Sequence, residues 1–441
     1  MASAALKDEE VENVLELFTR IARRRLSCQR RIYTDQLVVW LMVLQNLLVG
    51  RSIRGILPAA LSGEGEQFLG NCKRVREKNI SFTSSGFSQA RSNISSELFG
   101  ALINELSDNL SEDAPLWKNR RVFIVDGMTL RLQARERLAE RFPPRTNQIS
   151  TSIFPLVRLI VAHDAFSGLA QEPEFGNAEE SAPISEPRLA VKVFERLPEG
   201  SVILGDRAYG IFPVAYRAKS HGHHVVLRIQ QRHIRSILGT QHPEPGVYPV
   251  TWKASKKVQR LHELLPDTSI EGRVVVAFIK GNDAPEPLYL FTTLDEAPDA
   301  IIELYGQRWC IETDIRHIKC ALEKAQLSST SPEMVKKELL AAVLAYNLVR
   351  ATIQLAADHH KLQPSQFSFK VVLQQIELAV PRLLFAKSKA ERKEVFDFLL
   401  RAAIAGKKYR DKRTNKPRVA YRIPIRYSPR PRPAYAQPVY A

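Results

Sequence analysis

Val122-Phe123-Ile124-Val125-Asp126-Gly127 decides how the chain is to be read. Four apolar residues, three of them β-branched, form a short run bounded by Asp-Gly, the pattern of a strand buried on both faces. Residues 1 to about 115 read as helical, with a loop at Ser84-Ser85-Gly86, and the character changes at Arg121. After it, strands and helices alternate, so the fold class is α/β. The pattern returns at Val202-Ile203-Leu204-Gly205-Asp206-Arg207. Each apolar strand ends in an aspartate with glycine beside it. In open α/β sheets, ligands bind at the carboxyl ends of strands, and glycine permits close approach. Either aspartate alone also reads as the start of a turn.

Working outward, Phe154 to Ala162 reads as a further strand, 171–187 as a polar loop and Arg188 to Leu197 as a helix. Residues 225–293 read mainly as β, with apolar runs at Val225–Leu227, Val247–Val250, Val274–Phe278 and Leu288–Phe291. Asp299 to Gln326 reads as one long helix, with further helices at 333–361 and 371–404. Upstream, Val11, Val14, Leu15, Phe18 and Ile21 recur at helical spacing. Thr34-Asp35 caps a run that Gly50 closes, and a second helix starts near Ser52, compatible with a helix-turn-helix. No internal repeat is visible.

The 441 residues are 44% hydrophobic and 25% charged, which is ordinary for a globular protein and excludes wholesale disorder. The balance of charge is not ordinary. A formal +17 points to polyanionic partners, nucleic acid or anionic membrane. From Arg401 onward, a proline-rich tail interleaved with tyrosines carries +11 of it, which suits an arm along a phosphate backbone. Arg23-Arg24-Arg25 and Lys73-Arg74-Val75-Arg76-Glu77-Lys78 add local basic runs. The most apolar run, Leu37 to Val49, contains Gln45 and Asn46 and is too short and polar to span a bilayer. The acidic N-terminus, Asp8 to Glu12, is unlike a signal peptide. Cys28, Cys72, Cys310 and Cys320 show no CxxC spacing, consistent with a reducing interior and no structural zinc. His221, His223, His224, His359 and His360 read as solvated clusters rather than ligands.

The third element is Tyr305-Gly-Gln-Arg308-Trp-Cys-Ile-Glu312-Thr-Asp-Ile-Arg316-His-Ile-Lys319. On a helix turning ~100° per residue, Tyr305, Arg308, Glu312 and Lys319 share an arc of roughly 60°, with Arg316 on its border. Ile311, Ile315, Ile318 and Leu322 take another side, and Trp309 reads as packing. A phenol, a guanidinium, an ammonium and a carboxylate on one stripe suit a metal-bound phosphodiester. Three carboxylates, Asp126, Asp206 and Glu312, can hold two Mg²⁺ ions ~3.5–4 Å apart. Hard oxygen donors favour Mg²⁺ or Mn²⁺ over zinc. Arg308 and Lys319 would neutralise the phosphate. Arg207 is placed to reach a phosphate or to serve as a plain ion-pair partner.

With these residues the sequence resembles the DDE transposases of bacterial insertion sequences, of the insertion-sequence-four type. Their Tyr-x2-Arg-x3-Glu-x6-Lys signature is complete at Tyr305, Arg308, Glu312 and Lys319. Val125-Asp126-Gly127 and Leu204 to Gly210 match the contexts of the first two acids. The stretch Ala345-Tyr346-Asn347-Leu348-Val349-Arg350 is also similar, and the likeness covers about residues 75–405. It implies an RNase H-like α/β core with a β-rich insertion, flanked by helical N-terminal and C-terminal regions. The expected division is 1–115 helical and DNA-binding, 116–224 core, 225–293 insertion, 294–330 third-acid helix, 331–405 helical and 406–441 basic tail. It implies Asp126, Asp206 and Glu312 as catalytic ligands of two Mg²⁺ or Mn²⁺ ions. It implies cleavage and strand transfer at terminal inverted repeats, in a homodimeric synaptic complex on double-stranded DNA. Tyr289 and Trp252 are the candidates for stacking a flipped base. No membrane partner is expected, and the setting would be the bacterial cytoplasm, on the nucleoid. Two rivals remain: an RNase H-like nuclease without strand transfer, and an inactive DNA-binding regulator.

Overall fold

The computed structural model describes residues 32–48, 52–61, 72–81, 83–111, 116–144, 154–178, 182–279, 286–308, 329–386 and 388–407. The Arg23–Arg25 run, the signature helix beyond Arg308, and the tail beyond Lys407 lie outside them. Eight strands make one mixed sheet: β1 (Val122–Arg131), β2 (Leu156–Asp164), β3 (Glu174–Asn177), β4 (Val202–Gly205), β5 (His224–Arg228), β6 (Gly246–Lys253), β7 (Ser269–Ile279) and β8 (Glu286–Thr292). Their order is β3-β2-β1-β4-β5-β8-β7-β6. The central strands β1, β4 and β5 are parallel, and every other pairing is antiparallel. The parallel strands are the continuous apolar runs, as burial on both faces requires.

The helices used below are α1 (Asp35–Leu47), α2 (Ser96–Ser111), α3 (Ala182–Phe194), α4 (Phe212–Ser220), α5 (Pro298–Gly306), α6 (Pro332–His360), α7 (Phe369–Phe385) and α8 (Lys389–Ala402). The Thr34 hydroxyl accepts from the Leu37 amide at 3.2 Å and caps α1 as expected. Side chains alternate across β1. Phe123 and Val125 join the core beneath α3 and α4, whereas Val122 and Ile124 join the one beneath α5. Farther along, Met128 and Leu130 enter a third core built with α1, α2, α6, α7 and α8.

Five expectations change. The 171–187 stretch, expected as a polar loop, holds β3 and the start of α3. β1 does not end at Asp126 but runs on to Arg131 against β2; only its ladder with β4 stops there. The 225–293 stretch divides between the centre and the edge of the sheet. Val225–Leu227 belongs to central strand β5, and β8, β7 and β6 continue the same sheet from its edge. The 371–404 helix is two helices, α7 and α8, with Ser388 capping the second through the Glu391 amide. α1 is core on nearly all sides: Leu37 to Leu44 are buried without a break. The helical flanks on either side of the sheet therefore share one core rather than forming independent units. α6 is long and apolar enough to cross a membrane, but 94% of its most apolar window is buried inside the fold.

Candidate active site

Val125 and Gly205 are the last register partners of the β1–β4 ladder. Asp126 and Asp206 follow them directly, so the two carboxylates leave neighbouring strands at one level, with strands ~4.8 Å apart. Both are half-buried. Asp126 Oδ1 accepts from the Gly127 amide, and Asp206 Oδ1 from the Ala208 amide, each at 2.7 Å. These short backbone bonds fix the carboxylates against rotation.

The cationic side of the site comes from α5 and β5. Tyr305 is buried at the end of α5, and the Arg308 guanidinium lies 5.7 Å from its ring centroid. Burial raises the Tyr305 phenol, against the opposing pull of Arg308 and Arg228. Asp206 acts on the same phenol, which ties this cluster to the second carboxylate. Arg228 ends β5 and is buried, with Nη2 lacking a hydrogen-bond partner among the described residues. Burial lowers its pKa, and its like-charged neighbours Arg207 and Arg308 lower it further. Like charges acting on a buried guanidinium are costly unless an anion joins them.

Arg207, Arg228, Gln230, Gln231, Arg232 and Tyr289 line a cavity of about 680 Å³ beside this cluster. Gln230 Nε2 donates to the Arg207 carbonyl at 2.8 Å and braces the loop after Asp206. Tyr289 thus reaches the cavity wall, although it is only 4% exposed. Trp252 does not. It packs edge-on against Phe291 at 4.9 Å and Phe212 at 5.7 Å, inside the core under α4.

Glu312, Arg316 and Lys319 lie outside the described residues. Among the described residues no three acidic, histidine or cysteine side chains converge enough to hold an ion. Asp126 and Asp206 nonetheless offer hard, fixed oxygen donors side by side, which fits Mg²⁺ or Mn²⁺ better than a softer ion.

Three residues near the carboxylates were not singled out by sequence. Arg228 reads there as an ordinary strand end. Glu186, on α3, falls in a stretch read as polar loop. Its pKa is raised from 4.5 to about 6, first by burial, with Arg158 opposing and Asp126 and Asp206 adding. Tyr209 is fully buried, and its pKa is raised well above the usual value by burial and by Glu186, Asp126 and Asp206. The later similarity around Tyr346 to Arg350 also acquires a physical meaning. Asn347 Oδ1 accepts from the Ala170 amide at 2.8 Å, and its Nδ2 donates to the Ala170 carbonyl at 2.7 Å. Tyr346 donates to the Gly168 carbonyl at 2.8 Å, and Arg350 Nη2 to the Ser167 carbonyl at 2.9 Å. α6 thereby clamps the 167–170 turn that follows β2, the antiparallel neighbour of the strand carrying Asp126.

Compared with protein families, residues 117–348 match the transposase DDE domain. Among curated proteins, the chain is similar to transposase InsG for insertion sequence element IS4 of Escherichia coli (strain K12), at 27% identity over 268 residues. That likeness takes in 58% of this chain and 57% of the relative, so the chain matches somewhat over half the relative's length.

Proposed function

This chain belongs to the transposase DDE domain family, and we propose that it cuts DNA at the ends of an insertion sequence and joins them to target DNA. The observation that carries the reading is the side-by-side exit of Asp126 and Asp206 from one ladder, beside a cluster of buried cations. Carboxylates and guanidiniums at one crevice suit a phosphodiester, whose charge needs both a cation at the reacting oxygen and donors on the others. The core strands would form an RNase H-like unit, and β6 to β8 its β-rich insertion.

Asp126, Asp206 and Glu312 would hold two Mg²⁺ or Mn²⁺ ions. Bound there, the ions supply an activated water or 3′-hydroxyl and a stabilised leaving oxygen. The residues of the chain do the rest. The Gly127 and Ala208 amides hold two carboxylates in fixed orientation. Tyr305, Arg308, Arg228 and Lys319, bordered by Arg316, would grip the phosphates flanking the cut, with Arg207 at the cavity mouth. The cavity would take a nucleotide displaced from the stack, with Tyr289 at its wall.

The partners would be terminal inverted repeats and target DNA, within a homodimeric synaptic complex in the bacterial cytoplasm. The basic segments would supply salt-dependent affinity.

The test is cleavage of labelled DNA carrying the flanking repeats, with and without Mg²⁺, beside Glu312→Gln. Mg²⁺-dependent cutting lost in Glu312→Gln with binding retained, followed by joining of the 3′-end to a plasmid, supports the reading. Cutting without joining leaves a nuclease. Binding without cutting by the unmodified chain leaves a regulator.

A further inference from the structure

Glu186 stands on the first turns of α3, on the side of the sheet opposite α5 and α6. Its Cδ lies 3.0 Å, and its Cγ 3.2 Å, from the point a Cβ on residue 127 would occupy. Only the missing side chain of Gly127 admits this carboxyl against the backbone of the residue after Asp126. Glycine within a strand costs stability and marks close approach, and here the approaching group is an acid. Both Asp126 and Asp206 act electrostatically on it.

Across from Glu186, Arg158 is buried on β2, with Nε 3.7 Å from Glu186 Oε1. That is ion-pair range but not hydrogen-bond range. Arg158 is thus the one cation among the charges acting on Glu186, where Asp126 and Asp206 oppose it. Tyr209 adds a second, independent sign. Its hydroxyl is buried and has no hydrogen-bond partner among the described residues, beside the same three acids. Buried hydroxyls are rarely left unsatisfied unless water or an ion completes them.

We propose that Glu186 is a further carboxylate of the cation site, acting on the ion through its bound water. Mg²⁺ keeps several waters and is held directly by few carboxylates. Among the described residues no three acidic, histidine or cysteine side chains converge enough to hold an ion directly, so Glu186 would act through bound water rather than as a direct ligand. Such outer groups orient the ligands and govern affinity. Glu186 is therefore a positioning residue. The proposal rests on Asp126 and Asp206 being the cation's ligands, as given under Proposed function.

The test is Mn²⁺ binding by the full chain without DNA, read from the paramagnetic signal of free Mn²⁺, together with metal-free thermal melting. The variants are Glu186→Gln and Asp126→Asn. Glu186→Gln is expected to weaken Mn²⁺ binding about tenfold or more, with a melting temperature unchanged or raised. Unchanged Mn²⁺ affinity overturns the proposal, and with a lowered melting temperature it makes Glu186 only the counterion of Arg158. If affinity and melting temperature both fall, Glu186→Gln combined with Arg158→Met decides. Stability restored with affinity still low supports the role; affinity restored with it overturns the role. Asp126→Asn separates the two readings. Full Mn²⁺ binding in that variant would remove the metal site itself, whereas its loss beside a normal Glu186→Gln removes only the role of Glu186.

Discussion

Val125 and Gly205 are register partners, and the parallel ladder between β1 and β4 ends with them. The next residue on each chain is an aspartate. β1 continues against β2 while β4 turns into the Asp206–Gly210 loop, so the two carboxylates emerge where the strands part. The pairing of these two carboxylates is thus a consequence of where one ladder stops.

Asp206→Asn should abolish Mg²⁺-dependent cleavage while leaving the fold intact. The amide keeps an oxygen for the Ala208 N–H, and a negative charge leaves a crowded acidic crevice. A cleavage assay beside a melting curve checks this; lost cleavage with a markedly lower melting temperature would point to a structural role instead.

Arg228→Met should weaken DNA binding without weakening the protein. A buried guanidinium with a donor lacking a partner among the described residues is replaced by an apolar side chain of similar length, which is often neutral or stabilising. If Arg228 meets one phosphate, the slope of log affinity against log salt should shrink by about one. Fluorescence anisotropy across a salt series reads it.

Trp252→Ala should cost about 3–5 kcal/mol of stability, the range for emptying a large aromatic site in a core. Its contacts with Phe212 and Phe291 are lost together. Tyr289→Leu keeps most of the packing and should instead reduce affinity for DNA with a displaced base. Urea unfolding of both variants, beside binding to mismatched duplexes, separates packing from recognition.

Asn347→Ala should cost about 2–3 kcal/mol, because both the amide and the carbonyl of Ala170 lose their partner in a buried setting. Chemical denaturation measures it, and cleavage should decline only as the folded fraction does.

The Glu186 carboxyl, held up at about 6 by burial, carries a definite pH signature. Folded, it binds its proton more tightly than unfolded, so the stability it adds is present below about 4.5 and is lost as pH rises through about 6. Metal-free melting of the unmodified chain should fall relative to Glu186→Gln across that window. Parallel curves would show that the group is not perturbed.

Much of this was legible in the sequence, for physical reasons that differ by element. Val122–Val125 and Val202–Leu204 announce themselves because a strand buried on both faces must be apolar throughout. Thr34 announces α1 because a helix start needs an acceptor. What periodicity cannot say is what covers a helix, so the packing of α1 against α6, some 300 residues away, was not legible. Glu186 was hidden because its neighbours Ser185 and Pro187 read as loop, and its meaning depends on a glycine on another strand. Arg228 was hidden because an arginine at a strand end is unremarkable until two more guanidiniums arrive from distant segments.

α6 runs through the molecule touching α1, α2, α7 and α8, and it fastens the turn behind β2. A gene copy interrupted before Pro332 would encode a chain whose first helices and whose sheet face lose their cover at once. Such products would go to proteases rather than linger on DNA as competitors. Decay of the gene by truncation therefore ends in silence. A folded but inert protein is instead expected from substitutions that leave α6 in place, at a carboxylate such as Asp126 or Asp206.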